Sequence, residues 1–200
     1  QGLFMDRAAS GTATATTART TWYTRLYNAV GYNGTPLPSA LDGAGKYFSD
    51  SSASGPYGPE SGVDQYACRQ NFTILTTDGY WNGSSVSVGN QDNTDGTHYS
   101  GPNGTPAPYG YTASAPYKDG YSNSLADIAM RYWKTDLRDT LDNVVPTSGA
   151  DPAFWQHMVT FGISIGARGT LDPATDLPRL TAGTIGWPDP QTGYTGNNDI

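Results

Sequence analysis

Asn71-Phe-Thr-Ile-Leu-Thr-Thr77, closing on Asp78-Gly79, is the stretch on which the fold turns. Short runs of apolar, aromatic and β-branched residues bounded by a turn pair read as strands, and a run this apolar predicts a buried one. Its carboxyl end would then carry Asp78. Working outward, Val159, Phe161, Ile163 and Ile165 alternate with Thr160, Gly162 and Ser164, which predicts a second strand within 154–166. Between the two lies a helical stripe of Leu125, Ile128, Ala129, Tyr132, Trp133 and Leu137, with Ser122 or Ser124 as its cap, giving a helix over 124–138. Upstream, Trp22, Leu26, Ala29 and Val30 recur at helical spacing over 21–30, ending at Gly31-Tyr-Asn-Gly34. Leu37, Ala40, Leu41, Ala44, Tyr47 and Phe48 then mark another helix, with Thr35 at its N-cap and Pro36 at its first position. Strands separated by helices place the chain in the α/β class, with a doubly wound, mostly parallel sheet joined by crossovers. In such sheets ligand groups gather at the carboxyl ends of the strands, where Asp78 falls. Two strands make a poor sheet on their own, and Gly2-Leu-Phe-Met5 is a candidate third.

The rest of the chain is loop-rich. Only 36% of its residues are hydrophobic, with 25 Gly and 14 Pro, so the core must sit in a few segments. Residues 49–66 lose all periodicity. From about 80 to 121 the sequence is rich in Gly, Asn, Ser, Pro and Tyr and reads as an inserted surface loop, expected to be mobile, with a small hairpin around Val86 and Val88. From 167 to 200 it is again irregular. The net charge of −7 is carried on few charged residues, and the 11 Lys and Arg nowhere cluster, which argues against a nucleic-acid partner. No apolar run is long enough to span a membrane, and no signal peptide is visible. Cys68 is the sole cysteine, so an internal disulfide and a CxxC metal site are both excluded; it reads as a buried thiol or as half of a pair completed elsewhere.

Two of these stretches resemble metal-site loops of von Willebrand factor A domains. Asn33-Gly-Thr-Pro-Leu-Pro-Ser-Ala-Leu41 is similar to the second such loop, where a Thr opens a helix, and Phe72 to Gly79 to the third, where a core strand delivers Asp-Gly. Three further stretches, Cys68 to Asn82, Ser124-Leu-Ala-Asp-Ile-Ala-Met130 and Asp151-Pro-Ala-Phe-Trp-Gln-His-Met158, resemble signatures of the PilY-type tip adhesins of bacterial type IV pili. The resemblance spans roughly 20–190. It implies a von Willebrand A-like domain on the pilus tip or outer bacterial surface, exported through the periplasm and acting in adhesion or pilus biogenesis. Its implied partners are minor pilins or other tip components and a host-cell or matrix ligand. It also implies a divalent cation, Mg²⁺ or Ca²⁺, held in part by Thr35 and Asp78. Hydroxyl and carboxylate oxygens suit such hard cations.

One part of that pattern is missing. The first A-domain loop, Asp-x-Ser-x-Ser, supplies the remaining ligands. Asp6-Arg-Ala-Ala-Ser10 has Ala8 in place of the first Ser, and the 29 positions from Asp6 to Thr35 are too few for the helix and two strands expected between the loops. The loop is therefore expected upstream of Gln1, the domain is expected to be incomplete at both ends, and cation binding by this segment alone should be weak or absent.

Competing readings attach to other residues. Gln91-Asp-Asn-Thr-Asp-Gly96 hints at an EF-hand loop, but its twelfth position is Pro102 where a Glu is needed. His98 and His157 have no partner at catalytic spacing and read as structural. Tyr109, Tyr111, Tyr117 and Tyr121 either anchor the long loop or form an adhesive surface. A secreted glycan hydrolase would need paired carboxylates; Asp136, Asp139 and Asp142 are available but read as a solvated helix face. A purely structural pilus-assembly part, docking on minor pilins, is the third alternative.

Overall fold

The computed structural model describes residues 12–30, 34–58, 65–79, 81–83, 85–166 and 169–190. Gly2–Met5, Asp6 and the break at 31–33 therefore lie outside the described residues. The chain divides into two units, 1–34 and 35–200.

The described part of the first unit is helix α1, Thr12–Tyr27. It begins well before the expected 21–30 because its first half is an Ala/Thr run with no apolar period to reveal it. In its second half only Trp22 is partly covered, while Tyr23 and Tyr27 stack one turn apart at 6.0 Å.

In the second unit the elements run α2 (Leu37–Phe48), β1 (Asn71–Thr77), a single 3₁₀ turn (Pro102–Gly104), α3 (Leu125–Lys134), β2 (Met158–Ser164) and α4 (Pro173–Thr181). β1 and β2 are neighbouring parallel strands, Asn71 opposite Met158 through Thr77 opposite Ser164, as the sequence predicts. Ile165 extends the ladder by donating its N–H to the Thr77 carbonyl at 2.8 Å. α2 packs on α3 and β1, and α3 on β2, so both helices lie against the sheet.

The core follows from the predicted stripes. Leu41, Val88, Ile128, Tyr132 and Met158 are buried together, with Ala44, Phe48, Leu125, Ala129 and Leu137 packed around them. The Tyr132 hydroxyl ties the helices by donating to Asp42 Oδ1 at 2.7 Å, and Lys46 pairs with the other oxygen of that carboxylate at 2.6 Å. Gly45 has no room for a side chain, because a Cβ there would sit inside the Tyr132 ring. A second cluster holds Ala153, Phe154 and Trp155, with Trp133 and Tyr99 against it.

Several expectations are corrected. α3 ends at Lys134 and not at 138, because Leu137 turns away to donate its N–H to the Gln156 carbonyl at 2.8 Å. The strands are not buried on both faces: Phe72 is 53% and Ile74 64% exposed, and Phe161, Ile163 and Ile165 are comparably open. The in-register parallel pairing puts Phe72, Ile74, Phe161 and Ile163 on one face, and α2 and α3 pack against the other. Cys68 is free but exposed. The stretch from 167 contains α4, which Asp172 caps by accepting from the Ala174 N–H at 2.9 Å, with Pro173 at the first position. Pro178 inside that helix is what hid it.

Candidate functional site at the carboxyl end of the first strand

β1 leaves the sheet through a tight turn. The Thr77 hydroxyl accepts from the Gly79 N–H at 3.1 Å, and Gly79 adopts a φ of 146°, open to glycine and strained for other residues. Between them Asp78 stands exposed. The chain then meets the entry to α2. Thr35 N–H donates to Asn82 Oδ1 at 2.8 Å, and Asn82 N–H donates to the Thr35 carbonyl at 3.0 Å. Gly83 follows directly against Pro36. Asn82, which the sequence reading passed over, thus stitches the turn carrying Thr35 to the segment that leaves Asp78.

Thr35 is not the helix cap. Pro36 occupies that position at φ −81° and ψ 60°, with no side-chain cap bond, and Leu37 N–H donates to the Thr35 carbonyl at 2.9 Å. This is an inverse γ-turn centred on Pro36, which sets Thr35 one residue ahead of the helix. Thr35 is half-buried and Asp78 exposed, and their hydroxyl and carboxylate are hard-oxygen groups, two against the roughly six ligands that a Mg²⁺ or Ca²⁺ ion takes. Among the described residues no cluster of three or more His, Cys, Asp or Glu is arranged to hold a metal.

Among its described residues the long segment from 81 to 121 has no helix or strand apart from its 3₁₀ turn, and polar side chains hold its backbone at several points. Tyr99 and Tyr109 exchange backbone hydrogen bonds at 2.9 Å in each direction, a bridge that the sequence reading did not place, while Val86 and Val88 lie in no described strand. The Lys134 ammonium donates to the carbonyls of Gln91 (2.6 Å) and Thr94 (2.7 Å), so Gln91–Gly96 wraps a side-chain cation from α3. Burial holds the Lys134 amine below the usual lysine range, against the opposing pull of Asp92, Asp127 and Asp95. Asp127, fully buried, takes Gln91 N–H on Oδ1 at 2.6 Å and Ser124 N–H on Oδ2 at 2.9 Å, completing a capping box with Ser124. Asn123 Oδ1 accepts from the Val88 and Gly89 N–H groups at 2.7 and 2.8 Å. Tyr111 is buried and Tyr109 packs near Trp155 at 6.1 Å, whereas Tyr117 stays exposed.

The hydrolase carboxylates fare differently. They follow α3 and do not lie on it. Asp136 is half-buried, and burial raises its pKa, while Asp139 and Asp142 are exposed. His157 does have an acidic neighbour: its Nε2 lies 3.0 Å from Asp151 Oδ2, and Trp133 Nε1–H donates to Asp151 Oδ1 at 3.1 Å. His157 is 3% exposed beside Trp133 and Trp155, a structural setting closed to substrate.

Comparison with known proteins gives one consistent answer. Over 206 residues, 90% of this chain and 17% of the relative, the sequence is 34% identical to type IV pilus biogenesis factor PilY1 of Pseudomonas aeruginosa strain PAK. The same protein from strain UCBPP-PA14 is 38% identical over 176 residues, covering 80% of this chain and 14% of the relative. A third strain's PilY1 is 34% identical over 78% of this chain. The chain spans about a sixth of the length of these relatives. No family model matches the chain, and no solved structure does.

Proposed function

We propose that the chain is a segment of a von Willebrand A-like module of a type IV pilus protein, serving pilus biogenesis and surface attachment through binding and not through catalysis. The observation that carries this reading is the similarity to PilY1, at 34–38% identity along 78–90% of the chain. The mixed α/β architecture is compatible with it, with adjacent parallel strands, an Asp following the carboxyl end of β1, and Asn82 further along that segment bonded to the entry of α2. Thr35 and Asp78 are the residues that would hold a Mg²⁺ or Ca²⁺ ion, with further ligands from an Asp-x-Ser-x-Ser loop. When bound, that ion supplies an open coordination position for an acidic group of a partner. No described helix is long and apolar enough to cross a membrane, and the module's place in this reading is the pilus tip or the outer bacterial surface. Its partners would be minor pilins or other tip components, together with a host-cell or matrix ligand.

The open apolar face of the sheet favours a structural contribution as well. Parallel sheets are covered on both faces. Phe72, Ile74, Phe161 and Ile163 then belong against the remaining elements of a doubly wound domain. The test is deletion of 35–190 from the parent polypeptide in a piliated strain, with surface pili counted by electron microscopy and attachment scored separately. Loss of pili supports an assembly role, and normal pili with lost attachment supports adhesion. Normal pili and normal attachment would overturn the reading.

A further inference from the structure

The loop that Lys134 holds contains one group that nothing so far uses. Asp92 is 1% exposed, and its Oδ1 accepts from the Asp119 N–H at 3.1 Å. Its Oδ2 is buried with no hydrogen-bond partner. The residue is pinned from behind, since the Tyr111 hydroxyl donates to the Asp92 carbonyl at 2.5 Å. The charged and titratable groups around it are Asp119 and Tyr111 from the same segment, and Asp127 and Lys134 from α3. Asp95 lies farther along the loop, on the side of Tyr111 and Lys134. Lys134 is held on the Gln91 and Thr94 carbonyls and does not pair with the Asp92 carboxylate.

A bare carboxylate oxygen in that position is costly, because it has lost its water and found no donor. A proton on Oδ2 removes the charge and leaves the Asp119 bond to Oδ1 in place. We propose that Asp92 is a proton-operated latch: protonated, it holds the 88–121 segment closed on α3, and ionised, it loosens that segment. Burial, together with the charges of Asp119 and Asp127, pushes its pKa from 3.8 up to about 6, against the pull of the Asp119 N–H and of Lys134.

The sign follows from linkage. The closed loop holds its proton to a higher pH than the open chain, so the added stability is full below about 3.8 and is lost as pH rises through about 6. A displacement of that size is roughly a hundredfold in the closing equilibrium. The test is hydrogen exchange of the Asp119 and Gly96 amides in the full chain between pH 4 and 7.5, corrected for intrinsic rates. Protection should fall about a hundredfold in the wild type and stay level in Asp92→Asn, whose amide imitates the protonated acid. Identical profiles in the two proteins, or a level wild-type profile, would overturn the latch. If Asp92→Asn does not fold, carbon-13 titration of the wild-type Asp92 carboxyl decides the matter. A midpoint near 6 that drops in Asp119→Asn supports the latch, and a midpoint near 4 removes it.

Discussion

Asp127→Ala is the most informative single perturbation of the fold. The carboxylate accepts three hydrogen bonds, from Gln91 N–H, Ser124 N–H and the Ser124 hydroxyl, and so joins the long loop to the first turn of α3. Truncation leaves the Ser124 hydroxyl still accepting from the residue-127 N–H, but strands two backbone donors. Each stranded donor costs about 1–3 kcal/mol when it stays dry. The half-buried position of both donors lets water recover part of that, and the better helix propensity of Ala returns about 0.5 kcal/mol. The expected net loss is about 3 kcal/mol, read from the urea midpoint of tryptophan emission, since Trp133 and Trp155 sit in the cluster that the loop covers. Hydrogen exchange should show the Gln91 amide losing its protection. Asp127→Asn should recover less than half, because its amide nitrogen faces one of the two N–H groups it must serve. A loss below about 1 kcal/mol, with Gln91 still protected, would refute the claim that this side chain closes the loop.

Two further substitutions test the packing. Gly45→Ala should destabilise by about 1–3 kcal/mol despite Ala's better helix propensity, since its Cβ falls inside the Tyr132 ring; thermal melts should show the loss shrinking in a Tyr132→Ala background. Phe72→Ser with Phe161→Ser should lower binding of an apolar dye to the chain and leave its helical circular dichroism unchanged, because these rings lie 6.2 Å apart on the open face of the sheet. A drop in helix content would mean that the face is part of the core.

The sequence disclosed what regular periodicity encodes. The first strand was legible from its apolar, β-branched run, and the second strand and the stripe of α3 from their periods of two and 3.6; of the two serines offered as cap, Ser124 is the one used. It misled where a local signal competes with tertiary context. The apolar alternation of Phe161 and Ile163 says that a face should be covered but not by what. The Thr35-Pro36 pair looks like a cap followed by a first helical residue until Asn82, 47 positions away, engages the Thr35 backbone. The contacts that hold the long loop to α3 were not legible, because they are polar. Asp92, Asp127, Asn123 and Lys134 bind backbone groups across spans from 27 to 43 residues, and no period announces such contacts. Of the candidate cation site, Asp78 on its strand end was readable, whereas the partner that joins its loop to Thr35 was not.

Cation binding through Asp78 is tested by calorimetric titration of Mg²⁺ and Ca²⁺ into the full-length parent polypeptide, as wild type and as Asp78→Ala. The wild type should give a saturable cation-binding heat. In the variant that heat should be lost while helical circular dichroism is retained, because Asp78 is exposed and supports no packing. Equal cation affinity in the two proteins, or no binding in the wild type, would contradict it.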